Sequence, residues 1–154
     1  MPSIASLLDT IHKQHPDLTL TESSGFSWSA DTRMICYDRL AQHADMHLLH
    51  ELAHAVLEHS TYTRDIQLIG LERDAWQYAI THLAVHYKVD FDETVIQDSL
   101  DTYRDWLHAR STCPSCQANG IQVKQRRYKC VACLNQWHVN EARLCGLRRK
   151  NISI

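Results

Sequence analysis

The sequence predicts an α+β protein in two modules: a helical and stranded body over residues 1–110, and a small β-rich module over residues 111–154. Three observations point there. Segments with helical spacing alternate with short strands up to about residue 110. Two Cys-x-x-Cys pairs then follow, Cys113/Cys116 and Cys130/Cys133. The charge changes sign at the same place. Residues 1–110 carry 8 Lys/Arg and 17 Asp/Glu, a balance of −9, whereas 111–154 carry 8 Lys/Arg against Glu141 alone, a balance of +7. The chain total of −2 conceals this asymmetry, which suits the second module to a polyanion or an acidic partner.

With 154 residues and 44% hydrophobic content, the chain has enough apolar mass for a packed core, and global disorder is excluded. No run of about 18 apolar residues occurs, so no membrane helix and no membrane partner is expected. Met1-Pro2-Ser3-Ile4-Ala5 lacks a basic segment followed by an apolar stretch, so no secretory signal is expected either. The expected compartment is the reducing cytoplasm, where paired Cys-x-x-Cys motifs point to metal rather than to disulfides.

Taken in order, Ile4–His15 has apolar residues at helical spacing (Ile4, Leu7, Leu8, Ile11) and ends at Pro16-Asp17. Leu18–Thr21, Gly25–Ser29 and Arg33–Tyr37 read as strands, with a turn at Ala30-Asp31-Thr32 between the last two. Together they predict a small antiparallel sheet. From about Asp45 to His59, Leu48, Leu49, Leu52, Ala53, Val56 and Leu57 follow a helical period. Gly70 is expected to punctuate the chain before a second long helix, Leu71 to about Tyr87, with Ala75, Trp76, Ala79, Ile80 and Leu83 inward. Asp92–His108 predicts a third, on Val95, Ile96, Leu100, Tyr103 and Leu107. Beyond residue 110 the helical pattern stops. Asn119-Gly120 signals a turn, and Ile121–Gln125, Arg127–Lys129 and Gln136–Val139 read as short strands.

Chemistry concentrates at His50-Glu51-Leu52-Ala53-His54. Residues four apart on a helix lie about 40° apart around its axis and one turn along it, so both imidazoles can reach one metal ion. Glu51 points about 100° away, placed to act on a water without being a ligand itself. His-Glu-x-x-His spacing of this kind is the signature of zinc peptidases. At this composition of 11 His and 6 Glu, chance supplies on the order of 0.03 such matches. A third ligand is required, and the start of the next long helix offers Glu72 and Asp74. The alternative for such acids is to complement the helix dipole. His43, His47, His59, His82 and His86 read as surface or half-buried histidines, although one of them or Tyr78 could stabilise an oxyanion.

On the motif and on a downstream Glu-x-x-Ala…Ala pattern at Glu72, Ala75 and Ala79, the sequence resembles the ImmA/IrrE family of zinc metallopeptidases over roughly residues 20–90. The resemblance implies a zincin-like (minigluzincin) fold. It carries the third ligand of the catalytic zinc over to Glu72, beside His50 and His54, with Glu51 as the catalytic base. It also implies a substrate such as a helix-turn-helix transcriptional repressor, cleaved to relieve repression of a phage, stress or defence operon. CapP-like peptidases, encoded beside such repressors, are of this kind. Trp76 departs from the family pattern, which often has a small polar residue there, and many members lack a cysteine module.

Cys113, Cys116, Cys130 and Cys133 form two knuckles separated by 13 residues, which predicts a tetrahedral structural zinc in a β zinc ribbon. Two zinc ions per chain are therefore expected, one catalytic and one structural. Lys124, Arg126, Arg127 and Lys129 cluster beside Tyr128, a mixture suited to single-stranded DNA through phosphate contacts and base stacking. The alternative has Tyr128 and Trp137 forming the ribbon's core. Cys36 and Cys145 read as incidental thiols. A latent form, in which a cysteine thiolate such as that of Cys113 occupies the catalytic zinc, is a further expectation.

Two other functional classes fit. A SprT-like protease acting on DNA-bound proteins shares the motif and the ribbon, but would take a third histidine ligand. A non-catalytic, nucleic-acid-binding regulator would have no use for Glu51.

Overall fold

Ile35 and Tyr37 are the two buried side chains of the strand Met34–Tyr37 (β3), and that strand takes the centre of a three-stranded sheet. The structure is a computed structural model and describes residues 2–152. β1 (Thr19–Glu22) runs parallel to β3, with Thr19 beside Met34 and Glu22 beside Tyr37. β2 (Ser27–Ser29) pairs antiparallel on the other edge, with Ser27 opposite Cys36. The sheet is therefore mixed, which corrects the expected antiparallel arrangement. β2 and β3 make the hairpin, and β1 bears no fully buried residue of its own. The most apolar strand is covered best when flanked on each edge, so β1 joins the free edge of β3.

The helix Ile4–Gln14 (α1) starts at Ser3, whose Oγ accepts from the Ser6 amide at 3.1 Å, and it buries Leu7, Leu8 and Ile11. The motif helix, Ala44–Val56 (α2), is buried along most of its length, with Leu48, Leu49, Leu52 and Ala53 fully enclosed. It packs on β2, on β3 and on the segment Ala79–Leu83.

The next helix, Asp65–Tyr78 (α3), starts earlier than expected, and Gly70 lies inside it rather than ahead of it. The side chain of Gln67 explains the early start. Its Oε1 accepts from the amides of Thr63 at 2.9 Å and Arg64 at 3.0 Å, closing the N-terminus from within. α3 runs on through a π-helical turn, Ala79–Leu83, into Ala84–Tyr87 (α4). π-helical turns inside α-helices are frequent at functional sites. Glu93–Ser111 (α5) ends where the hydroxyls of Ser111 and Thr112 bond the His108 carbonyl.

The chain divides into two compact units. The first comprises the residues up to Thr61 together with Leu71–Ile96. The second comprises Tyr62–Gly70 and the residues from Gln97 on, so the cysteine module shares its unit with helical segments of α3 and α5. In the second unit, β4 (Gly120–Lys124), β5 (Arg127–Cys130), β6 (Gln136–Val139) and β7 (Arg149–Asn151) form an antiparallel sheet in that order. β7 has no counterpart in the sequence reading. The core beneath this sheet is small: Cys113, Tyr128, Cys130, Trp137 and Val139, with Leu107, Ala118 and Leu147 packed against it. Gly120 is obligatory there, since a Cβ would stand 2.5 Å from the Lys129 carbonyl oxygen and 2.7 Å from the Trp137 ring. Among the described residues, no helix is long and apolar enough to cross a membrane.

Candidate metal centres

In the first unit, α2 and α3 bring His50, His54 and Glu72 together, all buried. Close approach of the two helices is possible because Ala53, Ala75 and Ala79 are small and fully enclosed. His50 Nε2 lies 2.8 Å from Glu72 Oε2, His54 Nε2 lies 3.2 Å from Glu72 Oε1, and the two Nε2 atoms are 3.1 Å apart. Nitrogen and oxygen ligands about 2.0–2.1 Å from a tetrahedral ion would stand about 3.3 Å from one another. Two imidazole nitrogens and a carboxylate converging at such separations fit a shared divalent cation, and the set is compatible with zinc. Of the two acids the sequence left open, Glu72 is 6% exposed and faces the histidines. Asp74 is exposed and paired with Arg73 at 3.1 Å.

The electrostatics follow from burial. Burial pulls His50 down to about 4 against the opposing effect of Glu72. Burial works to raise Glu72, yet hydrogen bonding to His50 and His54 holds its carboxyl down at about 2, ionised and ready to ligate. Glu51, half-buried next to this set, is pushed up to about 7, chiefly by burial, with His54 opposing and Glu72 adding to the rise. A carboxylate poised near neutrality can both accept and return a proton.

Two residues that the sequence named in other roles, Trp76 and His59, lie against the histidines. Trp76 stacks on His50 at 4.1 Å between ring centroids, forming a wall that fixes the imidazole plane. His50 Nδ1 and Trp76 Nε1 are both buried without a partner. His59 Nδ1 lies 2.8 Å from His54 Nδ1, so one ring donates to the other and the His54 imidazole is held in orientation. The close of α2 brings His59 there. Glu58 takes a left-handed conformation (φ 56°), its amide bonds the Ala55 carbonyl, and the His59 amide bonds the His54 carbonyl at 3.0 Å. Helices usually close this way on glycine, so a glutamate there left no signal to read. His59 in turn accepts, through its carbonyl, from Trp28 Nε1 at 2.9 Å. The remaining candidates stand apart from the three ligands. His47 is edge-on to Trp76, and Tyr78 stacks on His82.

In the second unit, Cys113, Cys116, Cys130 and Cys133 converge. Cys113 and Cys133 place their sulfurs 3.7 Å apart, and Cys116 and Cys130 place theirs 3.4 Å apart. These distances are far beyond a disulfide and close to the edge of about 3.8 Å for four thiolates around a tetrahedral zinc. Each knuckle turns amides toward sulfur: Ser115 toward Cys113 at 3.4 Å, Ala132 toward Cys130 at 3.3 Å. Cys113 is thus a member of the sulfur cluster, fully buried, and the latent-form expectation would require it to leave. Cys36 is half-buried on β3, and Cys145 is exposed.

Tyr128 must be corrected as a stacking residue. It is 2% exposed, lies parallel to Trp137 at 5.9 Å, and donates its hydroxyl to Asp65 Oδ2 at 2.6 Å, so no ring face is free for a base. Arg110 Nε donates to the same Asp65 oxygen at 3.0 Å, and Nη1 donates to the Asn140 carbonyl at 2.7 Å. Of the expected cations, Lys124 and Arg126 are exposed, Arg127 and Lys129 half-buried, and Arg126 pairs with Glu141 at 3.3 Å. A scan against protein-family models, a search of curated proteins and a search of solved structures each find no match for this chain.

Proposed function

We propose that this chain is a zinc-dependent endopeptidase with a zincin-like first unit of the ImmA/IrrE kind. The observation that carries the reading is the convergence of His50, His54 and Glu72, with Glu51 beside them near neutral pKa. A zinc ion held by those three residues would supply Lewis acidity toward a peptide carbonyl and toward water. Glu51 takes the proton of the attacking water on its carboxylate and returns it to the leaving amine. Trp76 and His59 hold the two imidazoles in orientation. The four cysteines would hold a second, structural zinc. The resemblance in sequence supports a helix-turn-helix repressor as the substrate, and a phage, stress or defence operon as the setting.

The test combines metal analysis with cleavage of candidate repressors. Wild type is expected to carry two zinc ions per chain, with Glu72→Ala losing one and Cys130→Ser the other. Glu51→Gln should keep both ions yet cleave about 10²- to 10⁴-fold more slowly, the usual contribution of a general base. Unchanged cleavage by Glu51→Gln would sink the peptidase reading. Retention of two ions by Glu72→Ala would favour the SprT-like alternative, with its histidine ligand.

A further inference from the structure

One face of the second unit's sheet carries a row of basic residues, three of them Lys or Arg and one a histidine, that runs across all four strands. The register sets Lys124 opposite Arg127, Arg127 opposite His138, and His138 opposite Lys150. Directly opposed residues of antiparallel strands point to the same face, so these four form one cross-strand row. The strand spacing makes it about 14 Å long. Lys124, His138 and Lys150 are exposed. Arg127 is held on the face by donation from its Nε to Gln136 Oε1 at 2.9 Å. Lys129 lies on the same face, two residues along β5. The opposite face buries Tyr128 and Trp137 and carries Arg149, whose Nη1 donates to the Thr112 carbonyl.

Lys124 and Arg127 are like charges placed directly opposite one another, an arrangement that destabilises a sheet. No strand from β4 to β7 contains an Asp or a Glu that could relieve the row. The one acid of the module, Glu141, lies outside these strands and is paired with Arg126. A row of this kind is complementary to an evenly spaced polyanion. A rigid duplex meets a sheet over a short arc, whereas a flexible single strand can lay successive phosphates along the row.

We propose that this face, through Lys124, Arg127, His138 and Lys150, binds the phosphate backbone of single-stranded nucleic acid. The contact is electrostatic and independent of base identity, because the module's Tyr128 and Trp137 are buried. The proposal deepens the charge reading of the module and holds whether or not the first unit cleaves peptides.

The test is titration of a fluorescein-labelled oligothymidylate of 20 nucleotides with the full-length, zinc-replete chain at several salt concentrations. Lys124→Gln/Arg127→Gln/Lys150→Gln should weaken binding at least about tenfold at low salt. It should also reduce the slope of log K against log salt by about 2, since each phosphate contact on a single strand contributes about 0.7. Lys124→Gln/Lys150→Gln changes two exposed side chains only and should give a smaller loss in the same direction. The control Arg39→Gln/Arg73→Gln/Arg104→Gln removes the same charge from elsewhere and should leave binding within about twofold. The proposal is overturned if the oligonucleotide does not bind, if the control loses as much as the row, or if duplex of equal length binds as tightly as the single strand.

Discussion

The two candidate metal centres differ in what surrounds them. His50, His54 and Glu72 sit on helices inside a unit whose core is built from many apolar residues, among them Leu7, Ile11, Ile35, Leu48, Leu49 and Leu52. That frame can hold the ligands in place before any ion arrives. The four cysteines sit in two Cys-x-x-Cys knuckles around a core of five buried residues, two of which are the candidate ligands Cys113 and Cys130. Here the ligands are part of the core. Three ligands on a preformed frame leave a coordination position open, as chemistry requires, whereas four thiolates close the shell. A metal would be a tenant of the first donor set and a structural member of the second.

The largest expected effect tests that contrast directly. Cys130→Ser, or removal of metal by a strong chelator, should abolish the near-ultraviolet circular dichroism of Tyr128 and Trp137, because structural zinc supplies on the order of 10 kcal/mol to such modules. His50→Ala should leave that signal in place. A native-like spectrum for Cys130→Ser would break the comparison.

A second, smaller effect concerns what supports the cysteine unit besides metal. Asp65 accepts from both Arg110 and Tyr128 in a buried setting. Asp65→Ala leaves Arg110 as an uncompensated buried charge and should cost about 3–5 kcal/mol in urea denaturation. Asp74→Ala removes an exposed partner of Arg73 and should change stability by no more than about 0.5 kcal/mol. Equal losses from the two would show that burial is not what matters.

The smallest effect sharpens the description of the helical site. His59→Ala removes the ring that fixes His54 and should weaken metal binding at the three-ligand site about 10- to 100-fold, measured by competition with a chromogenic chelator. The second ion should be retained. An unchanged affinity would make the His54–His59 contact incidental.

Part of this was legible in the sequence because it depends on neighbours along the chain. The spacing of His50 and His54 places them on one helical face wherever the helix goes. The Cys-x-x-Cys pairs specify knuckles through short-range turns, and the long helices follow from apolar periodicity. Glu72 and Asp74 could not be told apart in this way. They lie two residues apart on one helix, and only its packing against α2 buries one and leaves the other in water. The parallel pairing of β1 with β3 joins segments whose order along the chain suggests a meander. His59 depended on a left-handed glutamate, and β7, Arg149-Lys150-Asn151, has no apolar alternation to announce it.

The residue types and spacing of the two donor sets, the helices that carry the histidines, and the sign of charge on each half of the chain are legible without the fold. These properties are local, and a chain keeps them whatever it packs against. Packing and register settle which acid meets the histidines, that Tyr128 is core rather than surface, and that Lys124, Arg127, His138 and Lys150 align on one face. Those outcomes depend on which distant surfaces exclude water together, and on strand register, where a shift of one residue sends every side chain to the opposite face.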